Sequence, residues 1–383
     1  MIVVAYLYNT NGMASWCWEA AHALAESGRD VTLVCSTDVE VAETTSVHIV
    51  RFTPPEAKTQ SNKVVRELAR LSSKPSGFVY HLHLHLTGLG LKPSAYLLNQ
   101  SDLLDTRVNI PQHIVAWAYP VTLTGYLGKI GKFSNRKFSL TTLRVLLDAV
   151  GWWRKDWQGY KQASSVLAVT DRLSADLVAA GIVSSVVHPG TAVAPARYRA
   201  DRTAPCRIVI CAQDLEEPRK RILFLLEALK GIPEHLYCLT LIGCAGEKFR
   251  QAAAQKSLPL VFAGPRPRDE VQRLMAQSDI FLFGSCLDDW GYVLVEAMSR
   301  GLCVVAPNLS PFDEIIGESG ILYSPFSAAD LRDKVRGLLE SDLQVKQAAA
   351  QARAQTHFSR QAFSASLLKT LGNTHVYSDD PTT

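Results

Sequence analysis

The sequence predicts two α/β domains, each built on a doubly wound parallel sheet, and three observations predict it. From residue 206 onward short apolar runs alternate with amphipathic ones, the rhythm of βα units in a parallel sheet. The first 36 residues open on the same rhythm, as strand, loop, helix and strand. Between them, residues 188–205 carry Pro189, Pro195 and Pro205 with Gly190 and several alanines, the composition of a linker. The expected division is therefore 1–187, a linker 188–205, 206–355, and a C-terminal helix and tail 356–383.

Composition bounds the function classes. The 383 residues suit two or three domains with ample core. Apolar residues at 47% and charged ones at 20% are ordinary for a soluble globular chain. No apolar run reaches the ~18 residues needed to span a membrane. Ile2–Tyr8 follows no basic segment and runs into a turn, so it reads as a first strand and not a signal peptide. The eight cysteines show no Cys-x-x-Cys spacing, which fits free thiols in a reducing cytoplasm. A net charge of +4, unless clustered, is too small for a nucleic-acid partner.

In the first domain, strand Ile2–Tyr8 leads through a loop holding Gly12 to a helix Ser15–Glu26, then a strand Asp30–Cys35. A single Gly12 in the first turn serves a phosphate or only the turn. His48–Phe52 reads as a strand and Ser61–Leu71 as a helix. His81, His83 and His85 alternate with leucines, and at period two they would line one face of a strand. Such a face can chelate zinc, yet no carboxylate or cysteine partner is evident, so structural histidines are expected and no metal. Gln112–Ala118 reads as a strand. Residues 125–157 are basic and aromatic, with Lys129, Lys132, Arg136, Lys137, Arg144, Arg154 and Lys155 among Phe133, Phe138, Trp152, Trp153 and Trp157. That mixture suits a peripheral contact with an anionic membrane surface, or a helix pair with a solvated basic face. Ala163–Thr170 and Asp171–Ala180 then read as strand and helix.

In the second domain, strands Arg207–Ala212, Cys238–Gly243 and Leu260–Ala263 alternate with helices Ile222–Leu229, Glu247–Gln255 and Arg268–Gln277. A strand Asp279–Phe283, a helix Trp290–Arg300 closed by Gly301, and a strand Leu302–Ala306 follow. Ala328–Leu339 and 343–370 read as helical, and the last residues as frayed. Ligands of such sheets sit beyond the carboxyl ends of the strands. Gly243, Gly264 and Ser285 fall there, and so does the charged turn Glu217-Pro218-Arg219-Lys220-Arg221. Asp288 and Glu296 stand eight residues apart on either side of a helix start. A helix start offers N–H groups and a positive dipole end to phosphate, while flanking carboxylates accept hydrogen bonds from hydroxyls. A ligand with hydroxyls at both ends and charge between them fits, and a nucleotide-sugar is one. Two carboxylates so placed are also what a helix cap and a solvated helix charge look like.

The run Ser285-Cys-Leu-Asp288-Asp289-Trp290-Gly291-Tyr-Val-Leu-Val-Glu296-Ala297-Met298-Ser299-Arg300-Gly301 resembles the E-x7-E segment of retaining glycosyltransferases of the GT-B fold, the family 4 type. One departure stands out: Asp288 occupies a place where that family usually has glutamate, one methylene longer. Gln213 to Arg221 resembles the family's diphosphate-binding turn, with Lys220 and then Arg219 as its cations and Arg221 at a usual glycine. Pro311-Phe-Asp313-Glu314-Ile315 and Ser319-Gly320-Ile-Leu-Tyr-Ser-Pro325 resemble two further family elements. The resemblance implies a nucleotide-sugar donor, UDP-sugar by family habit, a glycan, lipid-linked or small-molecule acceptor, and neither metal nor cofactor. It implies catalytic roles for Asp288, Lys220 and Glu296, with Glu296 on ribose hydroxyls, Asp288 and Asp289 on the donor sugar, and Lys220 on the diphosphate. Gly12, Arg219, Gly243, Gly264, Trp290, Gly291, Tyr292 and Val293 complete the expected substrate contacts, and the last helix is expected to return to the first domain. An epimerase or phosphorylase on the same fold, or a non-catalytic nucleotide-sugar binder, are the alternatives.

Overall fold

Strand β1 (Ile2–Leu7) runs between two parallel neighbours, β2 (Val31–Cys35) and β4 (Ala95–Leu98), with Ile2 opposite both Val31 and Ala95. Its Val3, Val4 and Ala5 are fully buried, as a strand covered on both faces must be. In the computed structural model, residues 1–7, 12–37, 46–53, 77–100, 103–117, 156–193, 205–288 and 290–373 are described. The predicted helix 61–71, Asp289, and all but the end of the basic stretch 125–157 lie outside them. The chain divides into two compact units, Met1–Gly190 with Phe363–Thr383, and Thr191–Ala362.

In unit 1, α1 (Gly12–Glu26) links β1 to β2, and β3 (His48–Arg51) pairs with β2. Helix α2 (Phe78–Gly88), β5 (Gln112–Ala116), β6 (Ser165–Ala168), α3 (Asp171–Ala179) and β7 (Ser184–Val186) follow. The seven strands lie in the order β3-β2-β1-β4-β5-β6-β7, and every pair is parallel. Thr170 caps α3 by accepting from the Leu173 N–H at 3.0 Å. The final helix supplies Phe363, whose ring meets Trp16 of α1 edge-on at 5.8 Å. Ser366 there donates to the Val186 carbonyl at 2.9 Å.

The histidine run corrects the sequence reading. His81, His83 and His85 lie on helix α2, not on a strand, so the three do not line one face: His81 and His85, four apart, share one and His83 does not. The buried residues are Phe78, Val79, Leu82 and Leu86, at helical spacing, while Leu84 is half exposed. His83 Nδ1 lies 3.0 Å from the Tyr96 hydroxyl, and the His85 ring tilts against Phe52 at 5.3 Å. His81 meets the Tyr80 ring edge-on at 5.6 Å, so all three have structural partners.

In unit 2, β8 (Cys206–Asp214), α4 (Ile222–Leu229), β9 (Tyr237–Cys244), α5 (Glu247–Ala254), β10 (Leu260–Gly264), α6 (Arg268–Ala276) and β11 (Ile280–Leu282) alternate as predicted. Next come α7 (Tyr292–Ser299), β12 (Cys303–Pro307), α8 (Phe312–Ile316), β13 (Ile321–Tyr323), α9 (Ala328–Glu340) and α10 (Leu343–His357). The predicted helical span 343–370 is two helices, α10 and α11 (Arg360–Asn373), broken at Phe358 and Ser359. Thr191 bonds this break, its N–H donating to the Phe358 carbonyl at 2.8 Å. The six strands are parallel in the order β10-β9-β8-β11-β12-β13. The order reverses between β8 and β11, which makes that pair the switch point of a doubly wound sheet. No helix among the described residues is long and apolar enough to cross a membrane.

Candidate functional site

Two loops of unit 2 leave the carboxyl ends of β8 and β11, the two strands of the switch point, and they are bonded to each other. The first begins where the register of β8 and β9 slips between Cys211 and Asp214. Gly243 makes that slip possible. Its φ is +143°, and a Cβ there would sit 1.9 Å from the Ala212 carbonyl oxygen. The chain then tightens into the turn Pro218–Lys220 and passes Arg221, whose φ of 51° and ψ of 40° are left-handed. A non-glycine residue in that conformation costs about 1–2 kcal/mol. Arg221 offsets the cost with its guanidinium, which donates from Nε to the Gly284 carbonyl at 2.7 Å and from Nη1 to the Pro325 carbonyl. The unusual arginine therefore ties the first loop to the second.

The second loop approaches closely because Gly284 has no side chain. A Cβ there would lie 2.6 Å from the Lys220 carbonyl oxygen. The Cys286 N–H donates to the Arg219 carbonyl at 3.0 Å, and Arg219 Nη1 donates to the Leu287 carbonyl at 3.1 Å. This lacing brings the predicted cations and the predicted carboxylate together. Lys220 Nζ stands 2.7 Å from Asp288 Oδ2, and Arg219 Nη1 stands 3.3 Å from Asp288 Oδ1. Burial opposes the charge on Arg219, yet the hydrogen bond to Glu217 and the Asp288 carboxylate hold its pKa above the ordinary value. Asp288 is thus the counter-ion of the cations expected to meet a diphosphate.

Glu296 sits on α7, a helix that starts at Gly291 with φ +100°. Its carboxylate is largely covered and accepts from Arg268 Nη2 at 2.8 Å, at the start of α6. Arg300 Nη1 donates to the Glu296 carbonyl at 2.9 Å. Burial pushes the Cys211 thiol up to about 12, with Glu296 adding to the rise and Lys220 opposing it. Both charges are therefore felt at Cys211, near the carboxyl end of β8.

The other expected contacts separate into placements. Gly291 caps α7, with Tyr292 and Val293 half-buried in its first turn. Gly264 ends β10 with φ +74° and open space where a Cβ would be. Gly243 shapes the β8–β9 ends as described. Trp290 is 2% exposed and meets Phe358 edge-on at 5.6 Å, so its ring is part of the unit 2 core and not a ligand surface. Gly12 begins α1 of unit 1, after β1. Sequence reasoning missed Arg268, the partner of Glu296, and the binding role of Arg221 between the loops.

Comparisons with known proteins bear on the family and the fold. Residues 206–341 match the model of the family "Glycosyl transferases group 1". The chain is 33% identical over 121 residues to sulfoquinovosyl transferase SQD2 of Arabidopsis thaliana, a match covering 30% of this chain and 24% of that protein. The chain thus spans about a quarter of that relative's length. Among solved structures, the sucrose-phosphate synthase of Thermosynechococcus elongatus superposes with a TM-score of 0.72 at 16% identity, over 98% of this chain and 99% of that one. Anabaena HepE, solved with UDP and glucose, superposes at 0.65 and 16% identity, over 97% and 99%. Residues 206–341, most of unit 2, accordingly resemble the glycosyl transferases group 1 family, in a chain with the GT-B fold.

Proposed function

We propose that the chain is a retaining glycosyltransferase that moves a sugar from a nucleotide-sugar to a hydroxyl acceptor, with UDP as the carrier. The carrying observation is the pair of bonded loops at the unit 2 switch point, with two cations, Asp288 and Glu296 gathered at the carboxyl ends of the strands. Anabaena HepE, of like fold, was solved with UDP and glucose, which supports a uridine diphosphate carrier.

Charge grows on the diphosphate as the glycosidic bond breaks, and a fixed cation stabilises that change in the transition state. Lys220, aided by Arg219, takes this role once Asp288 turns from them to the donor sugar's hydroxyls. The α7 start adds backbone N–H groups and a positive dipole end. Glu296 accepts from the ribose hydroxyls. The acceptor oxygen attacks the anomeric carbon on the face the diphosphate leaves, and the departing phosphate oxygen takes the acceptor's proton. No protein nucleophile is needed. The acceptor is a glycan, a lipid-linked sugar or a small molecule.

The test is acceptor-free turnover of UDP-, GDP- and ADP-sugars, with the released anomer read by NMR. Wild type should slowly release sugar in the donor's configuration, and Glu296→Ala should not. Equal release from both would defeat the catalytic reading, and an inverted product would defeat retention. Sugar 1-phosphate formed only with added phosphate would point to a phosphorylase, and an epimerised donor to an epimerase.

A further inference from the structure

We infer that unit 1 holds a second ligand site, a cavity for a phosphate ester carried on a small hydroxylated body, at the amino ends of β6 and β7. The cavity measures ≈ 660 Å³ and is walled by the starts of those strands, the turn before β7 and the last helix. Its chemistry is one-sided. Lys161 and Lys369 both line it, and no carboxylate among the described residues does. Neither ammonium has a hydrogen bond or ion pair among the described residues, although Lys161 lies 4.9 Å over the Trp157 ring. Two ammonium groups on one concave wall without a carboxylate repel each other, and an anion between them relieves that repulsion.

The rest of the lining supplies hydroxyls. Serine pairs stand at the start of each strand, Ser164 with Ser165 and Ser184 with Ser185. Ser164 accepts from the Gln112 N–H at 3.0 Å, which leaves its own O–H able to donate inward. Ser185 has no side-chain partner among the described residues. Thr370 joins them from the last helix. Anion-binding ammonium groups beside hydroxyls that both donate and accept suit a phosphate on glycerol or on a sugar. Val183, 87% exposed at the cavity, offers an apolar contact to the carbon body.

This site is distinct from the one above. It lies at the amino ends of unit 1 strands, whereas Gly12 follows the carboxyl end of β1. It also stands immediately after the basic, aromatic stretch 125–157, and the same chemistry could reach it as a free phosphate ester or as a lipid headgroup.

The experiment is hydrogen–deuterium exchange of the full chain with glycerol 3-phosphate, with glycerol, and with vesicles of phosphatidylglycerol or phosphatidylcholine. The readout is protection of peptides covering 181–186 and 364–371, which separates this site from the unit 2 cations. Glycerol 3-phosphate should protect them saturably and glycerol should not. The double substitution Lys161→Ala with Lys369→Ala, at exposed positions, should raise the concentration needed at least tenfold. Raising the salt should weaken the wild type, as for screened surface charges. Stronger protection by phosphatidylglycerol vesicles than by the free ester assigns a lipid headgroup, and protection by the ester alone assigns a soluble phosphate. No protection by either, or equal protection in the double variant, overturns the inference.

Discussion

Replacing Asp288 by asparagine should tighten the binding of UDP while slowing sugar transfer. In the unliganded site Asp288 neutralises Lys220 at 2.7 Å, with the two side chains 24% and 15% exposed. A diphosphate must take Lys220 away from this carboxylate and then lie beside it. At an effective dielectric of 20, a charge pair about 4 Å apart is attracted by about 4 kcal/mol before desolvation. Measured ion pairs of partial exposure retain far less, and about 1 kcal/mol is the upper share for this one. Asparagine keeps the shape and an acceptor oxygen but removes the charge. The UDP dissociation constant should therefore fall by up to about fivefold. Arg219 contributes less, because Glu217 already holds it. The assay is calorimetric titration of UDP into both proteins, beside turnover of a UDP-sugar. Transfer should drop, since the sugar hydroxyls lose a charged acceptor. Unchanged or weaker UDP binding in Asp288→Asn would refute the idea that Asp288 competes with the diphosphate.

Three further outcomes follow from geometry. Gly243→Ala should lower the unfolding free energy of unit 2 by about 3 kcal/mol or more, because its Cβ would meet the Ala212 oxygen at 1.9 Å. Gly264→Ala, with φ +74° and open space, should cost only about 1 kcal/mol; similar losses in urea melts would contradict the packing argument. With a thiol reagent, Cys244, the exposed cysteine, should react first, while burial keeps Cys211 and Cys303, both pushed up to about 12, slow. A fast phase surviving in Cys244→Ser would argue against this. For unit 1, burial pushes the Asp105 carboxyl up, but bonds from the Arg107 side chain and N–H lower it further, so its folded pKa lies below the unfolded one. Its stabilisation is present above the ordinary carboxylate range and is lost as pH falls through the folded value. Asp105→Asn should be less stable at neutral pH and flatten the acid limb of the stability curve, and curves that stay parallel would count against it.

Much of unit 2 was legible because local pattern and global topology agree there. Helix Ile222–Leu229 falls where the apolar spacing puts it, and the strands differ by a residue or two at their ends. The alternation of His and Leu over 81–86 misled because Leu84 imitates a buried strand position while it points to solvent. The spacing of Phe78, Val79, Leu82 and Leu86 carried the true, helical period. Strand β4 went unread although all four of its residues are buried, since a short apolar run has no periodicity of its own. At the site, Lys220, Asp288 and Glu296 were readable as residues but not as pairs. The bonds of Lys220 to Asp288 and of Arg268 to Glu296 join positions 68 and 28 residues apart, and only the fold brings them together. Arg221 is instructive in another way. Its departure from a usual glycine is a left-handed residue held by its own side chain, which spacing alone could not disclose.

The central claim is that unit 2 holds a nucleotide carrier through Glu296 and Lys220. It is tested most directly by titrating UDP into the wild type, Glu296→Ala and Lys220→Ala. Loss of a charged hydrogen bond is worth about 1.5–3 kcal/mol. Each variant should accordingly weaken UDP at least tenfold, with the melting temperature of the free protein little changed. A wild type that binds UDP no better than either variant would contradict the account.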